Sequence, residues 1–319
     1  MGLKMILSLR LKIVKLFFAS FFVLHSVFSL AYAENVKFAD VPESSSVSLN
    51  GFLYFVEKDQ RGFYLLGTIH AGISNRQKIG LNIINAAKKS SGIYVEVIMD
   101  DSAIDLVDLN SKRKAGGKKL VNLIGEKYYN LLKKNLVSEM EIFSEDEYES
   151  LQPWYLVNAV PIPNSENLNL ELGTEEQLIV LAKENNITVN ELEGATFQAN
   201  IFNKMTEDQQ VRYFRDYVNL VEQGVIRQRG IDLFEAWANS DISLAEKSLG
   251  DFSRRNNFYS NFYVGKVVNL RNVGFLKKIE KISSGKSGIL FAVGVDHLVG
   301  ESGLLKMLKD KKYKITKVN

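Results

Sequence analysis

The sequence predicts a mixed α/β fold (α/β or α+β), with a mixed sheet built from β-rich segments at both ends of the chain and a largely helical middle packed against it. Two observations predict it. Aromatic and β-branched runs cluster near residues 52–98 and again near 288–318, and apolar residues between about 103 and 285 recur at helical spacing.

Taken in order, the chain opens with Lys4, Arg10, Lys12 and Lys15 and has no acidic residue before Glu34. An apolar run from Leu16 to Ala33 ends in Ala31-Tyr32-Ala33, the small-x-small pattern that signal peptidase accepts. Residues 1–33 are therefore expected to be a signal peptide, with Glu34 as the mature start and a periplasmic or extracellular destination. The alternative is an uncleaved anchor, because the run nearly reaches the length that begins to span a bilayer. No later stretch is apolar enough to cross a membrane, so no span is expected after cleavage. Residues 34–319 form one expected domain, beginning with a polar lead-in to residue 50.

Phe52–Val56 and Phe63–Leu66 are β-prone runs separated by Lys58-Asp59-Gln60-Arg61-Gly62, which predicts a hairpin. Leu81, Ile83, Ile84 and Ala87 predict a helix stopped by Ser90-Ser91-Gly92, and Ile93–Ile98 predicts a strand. In the middle, Leu120, Leu123, Tyr128, Leu131 and Leu132 make one helical stripe, and Leu178, Val180, Leu181 and Ala182 another. Ile187–Leu192 reads as a strand. Helical patterns resume through Phe197–Phe214, Val218–Val225, Leu233–Ala238 and Phe258–Ile282. Three of the four prolines lie between Pro153 and Pro163, which marks an irregular crossing loop there. Gly288–Val293 is an apolar strand, Leu304–Leu308 a helix, and Tyr313–Val318 an alternating strand.

Composition narrows the functional classes. Cleavage after Ala33 removes four of the 40 basic residues and none of the 37 acidic ones, so the remainder carries a net charge of −1. The basicity of the whole chain thus gives no argument for nucleic acid or an anionic membrane surface. The chain contains no cysteine, which excludes disulfides, thiolate metal sites and a lipid anchor on an N-terminal Cys. Gly285-Lys286-Ser287 echoes a phosphate-binding loop, but Glu280 stands where that motif needs glycine and the segment precedes a strand. There is no His-Glu-x-x-His and no Gly-x-Ser-x-Gly. Asp100-Asp101 reads as a solvated turn.

Beyond residue 33 only His70 and His297 remain, and they share a context. Leu65-Leu66-Gly67-Thr68-Ile69-His70 and Ala292-Val293-Gly294-Val295-Asp296-His297 are each an apolar strand followed by Gly-x-x-His. The glycine permits a sharp exit and close approach of another backbone, and the imidazole is presented beyond the strand end, where open α/β sheets place ligands. Glu96 sits within Tyr94–Ile98. A carboxylate buried there is costly unless paired or metal-bound, the alternative being an exposed position on an edge strand. A His/His/Glu set with an open position suits a catalytic divalent metal, which lowers the pKa of bound water and polarises a carbonyl.

Gly67-Thr68-Ile69-His70, then Glu96, Leu192-Glu193 with Gln198, Arg255-Asn256, and Ala292–Glu301 with Gly303-Leu304-Leu305 behind it resemble the TraB/GumN family, in the family's order and across nearly the whole of residues 34–319. The resemblance implies kinship with the Tiki-like proteases, in which paired Gly-x-x-His motifs and a glutamate hold the catalytic metal. Carried over, it names His70, Glu96 and His297 as metal ligands for Mn, Co or Zn. It carries over Glu193, Gln198, Arg255 and Asn256 as residues lining the site, with Gly67, Gly294 and Asp296 beside them; in the hydrolase this predicts, Glu193 or Arg255 assists as base or oxyanion stabiliser. Asp296 departs from the family pattern, where a small residue is expected. The function this predicts is an exported metal-dependent hydrolase acting on a peptide or other envelope substrate, with no nucleic-acid partner and oligomeric state left open. The alternative is a non-catalytic envelope protein holding a metal, peptide or glycan in the same cleft.

Overall fold

The computed structural model describes residues 48–49, 51–70, 78–114, 116–137, 149–159 and 173–318. The expected signal peptide lies outside the described residues. Mixed α/β is the fold that results. Among the described residues, six strands form one sheet and two short strands, β1 (Ser48–Leu49) and β4 (Lys78–Ile79), pair separately.

The predicted hairpin is β2 (Phe52–Lys58) and β3 (Arg61–Thr68), paired antiparallel from Phe52–Gly67 to Lys58–Arg61. Its two-residue turn, Asp59-Gln60, has φ of 51° and 64° at both positions, the left-handed pair that matches the twist of the flanking strands. Helix α1 (Leu81–Lys89) stops at Ser90, and β5 (Gly92–Val95) follows. After the helical middle come β6 (Val189–Glu191), β7 (Ile289–Gly294) and β8 (Lys314–Lys317). The sheet order is β6-β5-β7-β3-β2-β8. The β6–β5, β5–β7 and β7–β3 pairs are parallel, and β3–β2 and β2–β8 antiparallel. The last apolar strand is thus inserted between two strands made about 200 residues earlier, with Thr68 opposite Gly294. Every residue of β7 is buried, as a strand covered on both faces requires.

The middle divides more finely than its apolar spacing suggests. Helices α2 (Asp101–Ser111), α3 (Leu120–Ile124) and α4 (Glu126–Val137) come first. Asp100 caps α2 by accepting from Ala103 N, which gives the Asp100-Asp101 turn a structural task. Gly125, at φ 85°, separates α3 from α4 and breaks the single predicted stripe. The proline-marked crossing loop needs correction at its start: Pro153 opens α5 (Pro153–Ala159), a first-turn position where its missing N–H costs nothing. Pro161 and Pro163 lie outside the described residues. Next come α6 (Thr174–Glu184), α7 (Ala195–Asn203) and α8 (Glu207–Glu222). A reciprocal cap between Thr206 and Gln209 divides the predicted Phe197–Phe214 pattern into α7 and α8. Helices α9 (Val225–Ala238) and α10 (Ile242–Ser253) precede the long terminal run. That run consists of α11 (Phe258–Phe262), a π-helical segment (Tyr263–Asn269) and α12 (Leu270–Gly285). Helix α13 (Leu304–Asp310) closes the series. No helix among the described residues is long and apolar enough to cross a membrane.

Candidate functional site

Four parallel strands finish at the same end of the sheet, and each delivers an ionisable residue just past its last paired position. β3 is followed by His70, β5 by Glu96, β6 by Glu193 and β7 by His297. Glu96 is therefore not inside a strand, as the run Ile93–Ile98 predicts, but one residue beyond it. Glu96, Glu193 and His297 are buried, at 2%, 4% and 1% exposure.

Gly294 is the point on which they converge. Its N–H donates to Glu96 Oε1 at 2.6 Å. A Cβ built here would lie 3.4 Å from Glu96 Oε1, 3.7 Å from His297 Cδ2 and 3.7 Å from His70 Nε2. A side chain would fill the space that these three residues face. Gly67 has a different reason to be glycine: a Cβ there would meet Leu298 Cδ1 at 2.6 Å and push away the turn that carries His297.

Each imidazole is gripped through its other nitrogen. His297 Nδ1 lies 2.6 Å from Asn272 Oδ1, and Asn272 Nδ2 donates to Ser302 O at 2.7 Å. The amide is thereby oriented, Oδ1 accepts, and Nδ1 carries the proton. His70 Nδ1 stands 3.2 Å from Glu175 Oε2, while Thr68 Oγ1 donates to Glu175 Oε1. The start of α6 is bonded to the exit of β3: Thr174 N donates to Ile69 O at 2.7 Å, and Ile69 N to Thr174 Oγ1 at 3.2 Å.

A fully buried arginine, Arg271 of α12, closes the cluster. Its Nη2 donates to Glu96 Oε2, its Nε to Glu193 Oε2 at 2.7 Å, and its Nη1 lies 3.2 Å from His297 Nε2. Gln198 Nε2 reaches Glu193 Oε2 at 3.5 Å. Burial drives the Glu96 carboxyl upward, and Arg271, His70 and the Gly294 N–H oppose this without cancelling it. Burial, the Arg271 cation and His70 hold His297 well below the usual histidine range. For His70, burial favours the neutral form, but Glu175 beside it and Glu96 outweigh this and leave it raised. The two imidazoles are thus pushed in opposite directions, His297 neutral and His70 more readily charged.

The model of the TraB/PrgY/gumN family matches residues 52–317, which take in every strand of the main sheet and every residue of this cluster. The chain belongs to the TraB/PrgY/gumN family. Among curated relatives, the "Uncharacterized protein YbaP" of Escherichia coli (strain K12) is 23% identical over 261 residues, covering 78% of this chain and 88% of that protein. The YbaP protein of Shigella flexneri matches to the same extent. No solved structure matches.

In this TraB/PrgY/gumN-family chain, the structure brings together His70, Glu96, Glu193, Gln198, Gly294 and His297. It does not bring Arg255 and Asn256 to them. Both are exposed in the turn between α10 and α11, where Asn256, at φ 49°, accepts from Asn261 Nδ2 at 3.1 Å. The Arg-Asn pair at the site is the second one in the sequence, Arg271-Asn272. A signal for it was present: Val267, Val268, Phe275, Leu276 and Ile279 form a buried stripe, and Arg271 and Asn272 fall on that stripe. Asp296 is buried but turned to other partners, Arg229 and Tyr263. Glu175 was missed as well, since nothing local links it to a histidine 105 residues away.

Two observations bear on a metal. Among the described residues no three His, Asp or Glu side chains are gathered closely enough to hold an ion as they stand. The residue types around the cradle are nevertheless ones that ligate divalent ions. His70 Nε2, Glu96 Oε1 and His297 surround the cradle over Gly294, and both imidazoles are oriented from behind, as metal-binding histidines are.

Proposed function

We propose that this protein is an exported, metal-dependent hydrolase with peptidase-like activity, in which His70, Glu96 and His297 hold a divalent ion of the Mn, Co or Zn class. The observation that carries the reading is the convergence of these three residues on Gly294 from the ends of three adjacent strands. A bound ion would supply Lewis acidity and an activated water. The chain's own residues do the rest. Asn272 and Glu175 hold the imidazoles from behind, with His70 Nε2 towards the cradle and His297 Nε2 towards Arg271 and Glu96. Arg271, rather than Arg255, is the cation placed to stabilise negative charge developing on a substrate carbonyl. Glu193 is the carboxylate left for proton transfer, and Gln198 and Arg271 fix its orientation. The buried surroundings strengthen each of these electrostatic contacts.

One observation favours a second reading, the non-catalytic envelope protein that holds a metal, peptide or glycan. Arg271 already engages both carboxylates and His297, so the cluster is satisfied as a structural network.

The two readings separate on purified protein. Metal content after incubation with Mn, Co or Zn salts should approach one ion per chain and fall at least tenfold in His70→Ala, with fluorogenic peptide turnover falling in parallel. Metal uptake without turnover on any peptide selects the binding reading. A wild-type chain that takes up no ion sinks the metal site. Sequencing of exported protein should begin at Glu34.

A further inference from the structure

Asp296, the residue that departs from the family pattern, has no role in the chemistry above, yet its carboxylate is held by two buried side chains. Its Oδ2 accepts from Arg229 Nη2 of α9 at 2.5 Å and from Tyr263 OH at 2.6 Å. The Arg229 guanidinium lies 4.7 Å from the centre of the Phe252 ring of α10 and 5.2 Å from that of Tyr263. All of these side chains are buried. Two helical elements therefore close on one carboxylate while a third, α10, backs the guanidinium, and the next residue in the chain is His297, on the same 3₁₀ turn (Val295–His297).

The same long helical run holds both residues. Tyr263, the first residue of the π segment, grips Asp296, and Asn272, two residues past the start of α12, grips His297. They are nine residues apart. In an unbroken α-helix, nine residues turn through about 900° and leave two side chains on opposite faces. A π segment accommodates an extra residue, which changes the phase by about 100°. This brings Tyr263 and Asn272 towards one face.

We propose that Asp296, with Arg229 and Tyr263, is a positioning clamp for His297, and that the π segment exists to let one helix grip residues 296 and 297 together. The clamp acts through the turn. Oδ2 anchors residue 296, Asn272 sets the ring of residue 297, and the imidazole is left no rotation that would take Nε2 away from Arg271 and Glu96. The metal-affinity arm of the test rests on the proposed function, whereas the imidazole arm does not.

Tyr263→Phe removes one hydrogen bond and keeps the ring, and Asp296→Asn keeps the shape and loses the charge. Full-chain protein labelled with ¹⁵N-histidine gives signals for His70 and His297 that report tautomer and environment. Both variants should shift the His297 signals and leave those of His70 in place. Both should also weaken Zn²⁺ binding, measured by calorimetry, by 10- to 100-fold, the range for residues that orient a metal ligand. His297 signals unchanged in folded Tyr263→Phe and Asp296→Asn would overturn the clamp, even if both variants melt earlier, because a merely structural pair lowers stability without moving that imidazole. If wild-type protein binds no zinc, the metal reading fails on its own and the imidazole signals decide the clamp. Should Asp296→Asn not fold, Tyr263→Phe carries the test.

Discussion

Two buried charge clusters lie on either side of the same short turn, and they are built on different principles. Around Asp296 there is one carboxylate, one guanidinium and a wall of aromatic rings. The charges balance, and the partners come from helices that surround the turn. Around Glu96 there are two carboxylates to one guanidinium, with two histidines beside them. Here one guanidinium from α12 serves both carboxylates, and the acidic and imidazole side chains come from the ends of strands. A balanced pair holds a backbone in place. The second cluster shares one cation between two carboxylates, so the loss of that cation touches more than one partner.

The largest effect that tests this comparison is removal of each arginine. Arg271→Met leaves Glu96 and Glu193 buried without their cation and should cost about 3–5 kcal/mol in urea unfolding, the range for an uncompensated buried charge. Arg229→Met should cost a similar amount by orphaning Asp296. The double replacements should part company. Arg229→Met with Asp296→Leu removes a balanced pair and should recover most of the loss, whereas Arg271→Met with Glu96→Gln still strands Glu193. Equal recovery in both would erase the distinction.

A smaller effect should appear in pH dependence. His297 has a folded pKa depressed below 6.5, so the unfolded chain takes the proton first and stability falls as pH drops below about 6.5. His70 has a folded pKa raised above 6.5. Its contribution is complete below that pH and is lost as pH rises through the folded value. The two terms together predict a thermal midpoint that peaks near pH 6.5. Glu96, also raised, favours the folded state as pH falls towards 4.5 and partly offsets the acid limb. His297→Gln should flatten the acid limb and His70→Gln the alkaline one, as melting curves from pH 5 to 8.5 would reveal. An unchanged acid limb in His297→Gln would remove that residue as its cause.

The smallest effect expected is at Arg255. An exposed turn residue replaced by Ala should change stability by less than about 0.5 kcal/mol and leave metal content where it was. A tenfold loss of metal in Arg255→Ala would return that residue to the site.

The sheet was legible because its signals are local. A polar segment, Lys58–Gly62, between aromatic runs and a glycine three residues before each histidine can be read without knowing what lies opposite. The histidines and Glu96 were legible for the same reason, as polar residues attached to apolar strands. Arg271 was not, because the chain holds two Arg-Asn pairs and the exposed one, Arg255-Asn256, follows a plain helix end. The second pair's one signal is its place on the buried stripe of Val267, Val268, Phe275, Leu276 and Ile279. Glu175 depends on contact between α6 and the exit of β3, a tertiary fact with no local trace. Gly125 and the Thr206 cap divided helices that apolar spacing alone joins.

The insertion of β7 between β3 and β5 has a consequence for when the protein becomes competent. Residues 70, 96 and 193 are all made before the strand that brings them together, and until residue 294 is available β3 and β5 have no common neighbour. Pairings so distant in sequence are slow to form, since a loop of about 200 residues must close first. A chain arrested before β7 would carry two separate pieces of sheet, each with an open edge that invites aggregation, and no assembled cluster. The order of synthesis itself therefore withholds the assembled site until the chain is almost complete.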